Sequence, residues 1–265
     1  MMRARPRTRP CTTEVTPMAV RALISAAVGA TLLLAPTAAA VDDPTAQELA
    51  EEAESNLLDA KSVHLKLTDR SAGTETSRTQ PTSMELSLDR SGNCVGTMEM
   101  GSDGGSVEIV KRGDEVWMKP DTAFWKAQVP GGEGDAVAEL FEDRYIHGST
   151  DDALLKGMAD TCDLSNFQRD VDSGSSPGTT SLKKGEETTR GGVDVIPLTG
   201  EVDGARTTLY VTADSPHLLV EAGQRGEDID VRLRFSEYDE PVPSRTPSAD
   251  DTVDIDKLQD ELQSV

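Results

Sequence analysis

The chain has 265 residues, with 26 Lys and Arg against 48 Asp and Glu, for a formal net charge of −22. So acidic a surface repels nucleic acid and anionic headgroups at long range, which argues against a nucleic-acid-binding role. The length suits a single domain with a leader and a tail.

Met18-Ala19-Val20-Arg21 opens a short basic segment, Ala22 to Ala35 is apolar, Pro36 breaks the run, and Thr37-Ala38-Ala39-Ala40 supplies small residues. This is the order of a cleaved signal peptide, and the run is shorter than the roughly 20 apolar residues of a membrane span. Ala40 is followed by Val41, and Cys11 lies upstream of the apolar run, so no lipid-accepting cysteine is placed after the signal. A secreted or cell-envelope protein is expected, with no stable membrane span after cleavage. Without residues 1–40 the chain keeps 21 basic and 47 acidic residues. Two cysteines remain, Cys94 and Cys162, and an even count in an oxidising compartment points to a structural disulfide.

Thr45 to Ala60 reads as a helix, with Leu49, Ala53, Leu57 and Ala60 along one side and glutamates on the other. The period then changes to two. Val63, Leu65 and Leu67 alternate with His64, Lys66 and Thr68, and Met84, Leu86 and Leu88 follow the same rule. Cys94, Gly96, Met98 and Met100 share a face, then Val107 and Ile109, then Val116 and Met118. Gly/Asp turns separate these runs, and Asp121-Thr122 leads into Phe124-Trp125, read here as the last run of an antiparallel meander.

The middle of the chain reads as helical over Asp135–Tyr145 and Asp151–Met158, with a continuation over Asp163–Phe167 and a polar loop from Asp170 to Pro177. His147 is placed in a loop. Strands resume at Gly192–Leu198, Ala205–Thr212 and His217–Ala222, and then in a run with Ile229, Val231, Leu233 and Phe235 on one face. Pro241, Pro243 and Pro247 end the sheet region, and Asp254–Val265 reads as a short terminal helix. Helices segregated from an antiparallel sheet make an α+β domain.

Residues fit for catalysis are few. His64, His147 and His217 show no metal-ligand spacing, and no serine sits in a nucleophile elbow. Gly131-Gly132-Glu133-Gly134 lacks the lysine and hydroxyl of a phosphate loop. No catalytic residue, metal or cofactor is assigned, and no enzymatic activity is expected. Met84, Met98, Met100 and Met118 all fall on strands facing one interior, flanked by Trp117 and Trp125. Methionine suits either an ordinary core or an adaptable lining for a flexible apolar guest.

Gly113-Asp114-Glu115-Val116-Trp117-Met118-Lys119 with Ala123-Phe124-Trp125-Lys126 resembles a strand-and-turn segment of actinobacterial secreted proteins and lipoproteins of the LolA/LolB-like, LppX/LprG-type lipid-binding family. Ser62 to Thr68 resembles their first strand, and Phe235-Ser236-Glu237-Tyr238-Asp239-Glu240-Pro241-Val242 their closing segment. The likeness spans roughly residues 45–243. It implies a strongly curved antiparallel half-barrel with helices covering the concave face and acyl chains held between them. Carried over residue by residue, the cavity lining would be Leu49, Ala53, Leu57, Val63, Leu65, Met84, Leu86, Met98, Met100, Val116 and Met118. Cys94 and Cys162 fit the two-cysteine pattern of many members. The lipidated cysteine of many relatives is missing.

The expected organisation is a leader over 1–40, a lipid-binding domain over 41–243 and an acidic tail over 244–265. The expected function is a non-enzymatic extracytoplasmic carrier or chaperone for lipid, glycolipid or lipidated protein. The alternative is an envelope structural or regulatory module that binds a protein partner.

Overall fold

The structure is a computed structural model and describes residues 43–153, 155–174 and 181–255. The leader over 1–40 and nearly all of the expected terminal helix, from residue 256 on, lie outside the described residues.

Helix α1 (Ala46–Asp59) begins where the sequence places it. Thr45 and Glu48 form a reciprocal capping box: the Thr45 hydroxyl accepts from the Glu48 amide, and the Glu48 carboxylate accepts from the Thr45 amide at 2.8 Å. These bonds hold the Glu48 carboxyl below its ordinary value.

Five strands follow: β1 (Ser62–Asp69), β2 (Pro81–Asp89), β3 (Cys94–Met100), β4 (Ser106–Arg112) and β5 (Glu115–Pro120). Next come α2 (Thr122–Gln128), a single 3₁₀ turn (Pro130–Gly132), α3 (Gly134–Leu140), β6 (Tyr145–Ser149), α4 (Lys156–Thr161) and α5 (Leu164–Gly174). The second half holds β7 (Lys183–Lys184), β8 (Thr188–Arg190), β9 (Val193–Val202), β10 (Ala205–Thr212), β11 (Leu219–Arg225), β12 (Asp230–Ser236) and β13 (Thr252–Asp254). Asp203 and Gly204, at φ 50° and 80°, turn β9 into β10 as a two-residue hairpin whose left-handed positions suit an Asp-Gly pair.

Among the described residues all thirteen strands join one sheet, ordered β13-β6-β5-β4-β3-β2-β1-β12-β11-β10-β9-β7, with β8 also paired to β9. The sheet is not closed. Every pairing is antiparallel except β13 on β6. The first strand thus sits mid-sheet, between β2 and the late strand β12.

Register aligns apolar side chains across the sheet. One row runs Leu198, Leu209, Ala222, Leu233, Leu67, Met84, Met98, Val107 and Pro120, from β9 through to β5. A second row runs Phe235, Leu65, Leu86, Gly96, Ile109, Met118 and Ile146. Both rows and the helices α1, α2 and α5 contribute to a single apolar cluster. A sheet this wide reaches one common core only by wrapping around it, so this is the half-barrel with helices on its concave side.

Several local expectations are corrected. Phe124 and Trp125 lie in α2, not on a strand: Asp121 caps that helix, its carboxylate accepting from the Phe124 amide at 2.7 Å and from the Ser106 amide at 2.9 Å. The helix expected over Asp135–Tyr145 stops at Leu140, and Tyr145 to Ser149, including His147, form β6. The helix expected over Asp151–Met158 begins only at Lys156. Asp170 to Gly174 belong to α5 instead of a loop. Ile229 lies just before β12 and is exposed. The sheet does not end at the prolines, because Thr252–Asp254 return to pair with Tyr145–His147. Asp254, expected to start a helix, ends this strand.

Candidate functional site

The candidate site is the inner face of the half-barrel under α1 and α5. Of the eleven residues carried over as lining, ten (Leu49, Ala53, Leu57, Val63, Leu65, Leu86, Met98, Met100, Val116 and Met118) are at most 9% exposed. Met84 is half-buried and packs against the same cluster. The structure therefore brings all eleven to one place. A space wide enough for an acyl chain would leave its lining accessible to water. These side chains are not accessible, so they fill the interior themselves in this conformation.

Four side chains hold the helices down over this face. Gln168 of α5, 6% exposed, donates from its amide nitrogen to the carbonyls of Leu57 and Ala60, both at 2.9 Å. These are carbonyls at the C-terminal end of α1, where a helix leaves acceptors without internal donors. The Gln168 oxygen in turn accepts from Arg90 Nε at 3.1 Å, and the same arginine donates to the Leu58 carbonyl. At the start of α1, Lys184 Nζ reaches Asp43 at 2.8 Å and the Pro44 carbonyl at 3.2 Å. Asn56 donates to the His217 carbonyl at 2.8 Å.

Helix α5 presents Leu164, Phe167, Gln168 and Val171 inward at helical spacing, and Phe167 lies 6.1 Å from the Phe235 ring. Just ahead of α5, Cys162 is bonded to Cys94 of β3, so the expected disulfide is present and ties the helical segment to the sheet. The far end of the concave face is closed by α2 and α3. There Trp125 lies 5.9 Å from Phe124, edge to face, and stacks 5.6 Å from Phe141.

Trp117 does not flank this interior. It alternates with Val116 and Met118 on β5, so its ring lies on the opposite face and stacks at 4.7 Å on His147 of β6. His147 Nδ1 lies 3.3 Å from Asp254 of β13, which links the returning edge strand to this stack. Tyr145, at the other end of β6, donates to Glu108 at 2.7 Å, and burial beside that carboxylate pushes its phenol up to about 12. His64 bonds Ser87 at 2.9 Å, and His217 Nδ1 lies 2.8 Å from the Thr212 carbonyl.

The inner face also carries polar groups. Thr207 and Gln224, 3% and 2% exposed, face each other directly across β10 and β11. The Thr207 hydroxyl is buried without a hydrogen-bond partner. A buried unpartnered hydroxyl costs free energy and is a ready donor for a guest. Alternation places Thr207 among apolar neighbours in the sequence. Its lack of a partner shows only in three dimensions.

Among the described residues there is no cluster of three metal-binding side chains, and no helix is long and apolar enough to cross a membrane.

An unclosed, almost wholly antiparallel half-barrel, helix-covered over a continuous apolar face, is the fold that the strand and turn motifs implied. Its fold is similar to that of LprF from Mycobacterium bovis, at 14% identity over 77% of this chain and 97% of that one, with a TM-score of 0.53. Lipoprotein LppX from Mycobacterium tuberculosis matches at 16% identity over 74% of this chain and 95% of its own, with a TM-score of 0.46. A LolA superfamily protein from Nitrosomonas europaea matches at 13% identity over 76% and 96%, with a TM-score of 0.28. The likeness to LprF carries the fold argument. No family model matches the sequence, and no curated protein matches it.

Proposed function

We propose that the protein is a non-enzymatic extracytoplasmic carrier that takes up the acyl chains of a lipid, glycolipid or lipidated protein between α1, α5 and the inner face of the sheet. The observation that carries this reading is the uninterrupted apolar row from Leu198 to Pro120 beneath helices that are pinned at a few points.

The structure described here is then the empty, closed state. Uptake displaces α1 and α5 outward and replaces side-chain contacts by contacts to the guest. Each buried CH₂ contributes about 0.8 kcal/mol, so one long acyl chain supplies on the order of 10 kcal/mol toward opening. Methionines at positions 84, 98, 100 and 118 suit this exchange, since their unbranched thioether chains repack against irregular guests. The Thr207 hydroxyl would donate to an ester or headgroup oxygen. No covalent step is involved.

The test is binding of a fluorescent fatty acid to the purified protein, together with organic extraction of lipid from protein expressed in its native envelope. Saturable binding displaced by unlabelled lipid is expected. No binding and no extractable lipid would refute the proposal.

A further inference from the structure

The outer face of the sheet holds a feature that lipid carriage does not use. A groove of about 120 Å³ opens over β1, β11 and β12, lined by Lys66, Thr68, Arg70, Arg225, Asp230, Arg232 and Arg234. Five cations and one carboxylate line it, on a chain whose net charge is −22. With Glu85 and Glu221, which pair with lining residues, the acids rise to three against five cations.

The register forces these cations together. Lys66 lies directly opposite Arg234, and Arg206 directly opposite Arg225. Like charges in directly opposed positions destabilise a sheet. The neutralisation is partial. Arg232 and Arg234 share the single carboxylate of Glu221, at 3.2 and 2.8 Å, and that side chain is 5% exposed. Lys66 pairs with the half-exposed Glu85, whose carboxyl it holds below its ordinary value. Arg225 pairs with Asp230 at 2.6 Å. Arg70 is exposed and makes no ion pair among the described residues.

Space is provided beside this charge. Gly223 lies opposite Arg232 on the outer face, and a Cβ built there would meet only the Val231 carbonyl, at 3.7 Å. The groove has room for several waters or one hydrated oxyanion. Guanidinium groups are well matched to phosphate oxygens, which they can grip in pairs.

We propose that this groove is a phosphate-binding site, which takes either free phosphate or the phosphate of an anionic lipid headgroup. Arg70, Lys66 and Arg232 supply donors, and Glu221 fixes Arg232 and Arg234 from below. The site stands on the opposite face from the apolar interior, so its existence is independent of the carrier reading.

The test is a titration of the purified protein with inorganic phosphate at physiological salt, followed by amide chemical shifts. Saturable shifts confined to β1, β11, β12 and Arg70 are expected. The double variant Lys66→Gln/Arg70→Gln leaves the Glu221 pairs intact and should weaken binding at least about tenfold. Gly223→Glu, which puts a carboxylate into the open space, should abolish it. Lys126→Gln on α2 should leave it unchanged.

Vesicles of phosphatidylglycerol and of phosphatidylcholine separate the two sources. Groove-dependent sedimentation with phosphatidylglycerol alone assigns the headgroup, and phosphate saturation without vesicle binding assigns the free anion. Absence of saturation by phosphate overturns the proposal, as does equal weakening in Lys126→Gln or wild-type affinity in the two groove variants.

Discussion

Gln168→Leu is the most informative perturbation of the helix pair. Leucine is of similar size but removes both donations to the end of α1 and the acceptor for Arg90. Two carbonyls of α1 lose their donor in a setting where Gln168 itself is 6% exposed. An unsatisfied buried acceptor costs about 1–3 kcal/mol, so the pair costs about 2–4 kcal/mol after partial rehydration. If the clamp is local, that loss appears as lid opening. At about 1.4 kcal/mol per decade, the open population rises roughly 30-fold to nearly 1,000-fold. Native-state hydrogen exchange should show α1 amides exchanging faster by that factor while β1, β2 and β3 keep their protection. Fatty-acid uptake should accelerate in step. Equal loss of protection in α1 and β1 would show that the clamp supports the whole fold and not a lid. Faster exchange in α1 with unchanged uptake would show that α1 is not the gate.

Replacing Cys94 and Cys162 by serine opens a cross-link of sequence separation 68. By the chain-entropy relation this should lower unfolding stability by about 4 kcal/mol in denaturant titration. Gly105→Ala places a Cβ 2.1 Å from the Phe124 amide nitrogen at φ +77°, so it should cost at least about 2 kcal/mol and displace the start of α2, read by thermal unfolding. The chain has two tryptophans. Trp117→Phe leaves Trp125, which belongs to the apolar core, and lipid addition should change its fluorescence, whereas Trp117 in the Trp125→Phe variant should stay silent. Tyr145 has a raised folded value, so its contribution is complete below about pH 10 and is lost as pH rises through about 12. Ultraviolet titration should show one tyrosine ionising near 12 that Tyr145→Phe removes.

How far the sequence carries depends on whether a segment's pattern is set locally. The period-two runs of β1 to β4, β10 and β12 were readable because one face of each is buried and the other largely wet. The helical pattern of α1 was readable for the same kind of reason, being set within the segment itself. Other features were set by distant partners. Gln168 reads as polar surface in the sequence, yet it is buried by the carbonyls of α1, and this hides the inward stripe of α5. His147 and Tyr145 lie on a strand because Trp117, Glu108 and Asp254 surround them, and all three come from other parts of the chain. Phe124 and Trp125 look like a strand until Asp121 is recognised as a cap rather than a turn. The lining residues were legible as one face. That they fill their own cavity when empty was not, since packing density is a property of facing surfaces.

The basic groove shows the same limit from the other side. Lys66, Arg70, Arg225, Arg232 and Arg234 each read as ordinary outward strand residues, and only register places Lys66 against Arg234 and Arg206 against Arg225.

The central claim is tested most directly by methyl spectra of the protein labelled at methionine, recorded while a diacyl phospholipid is added. The resonances of Met98, Met100 and Met118, buried in the closed state, should shift saturably and together as the acyl chains take the place of α1 contacts. If those three signals stay unmoved through a full excess of lipid, and also with fatty acid or glycolipid, the interior is a fixed core and the carrier account is wrong.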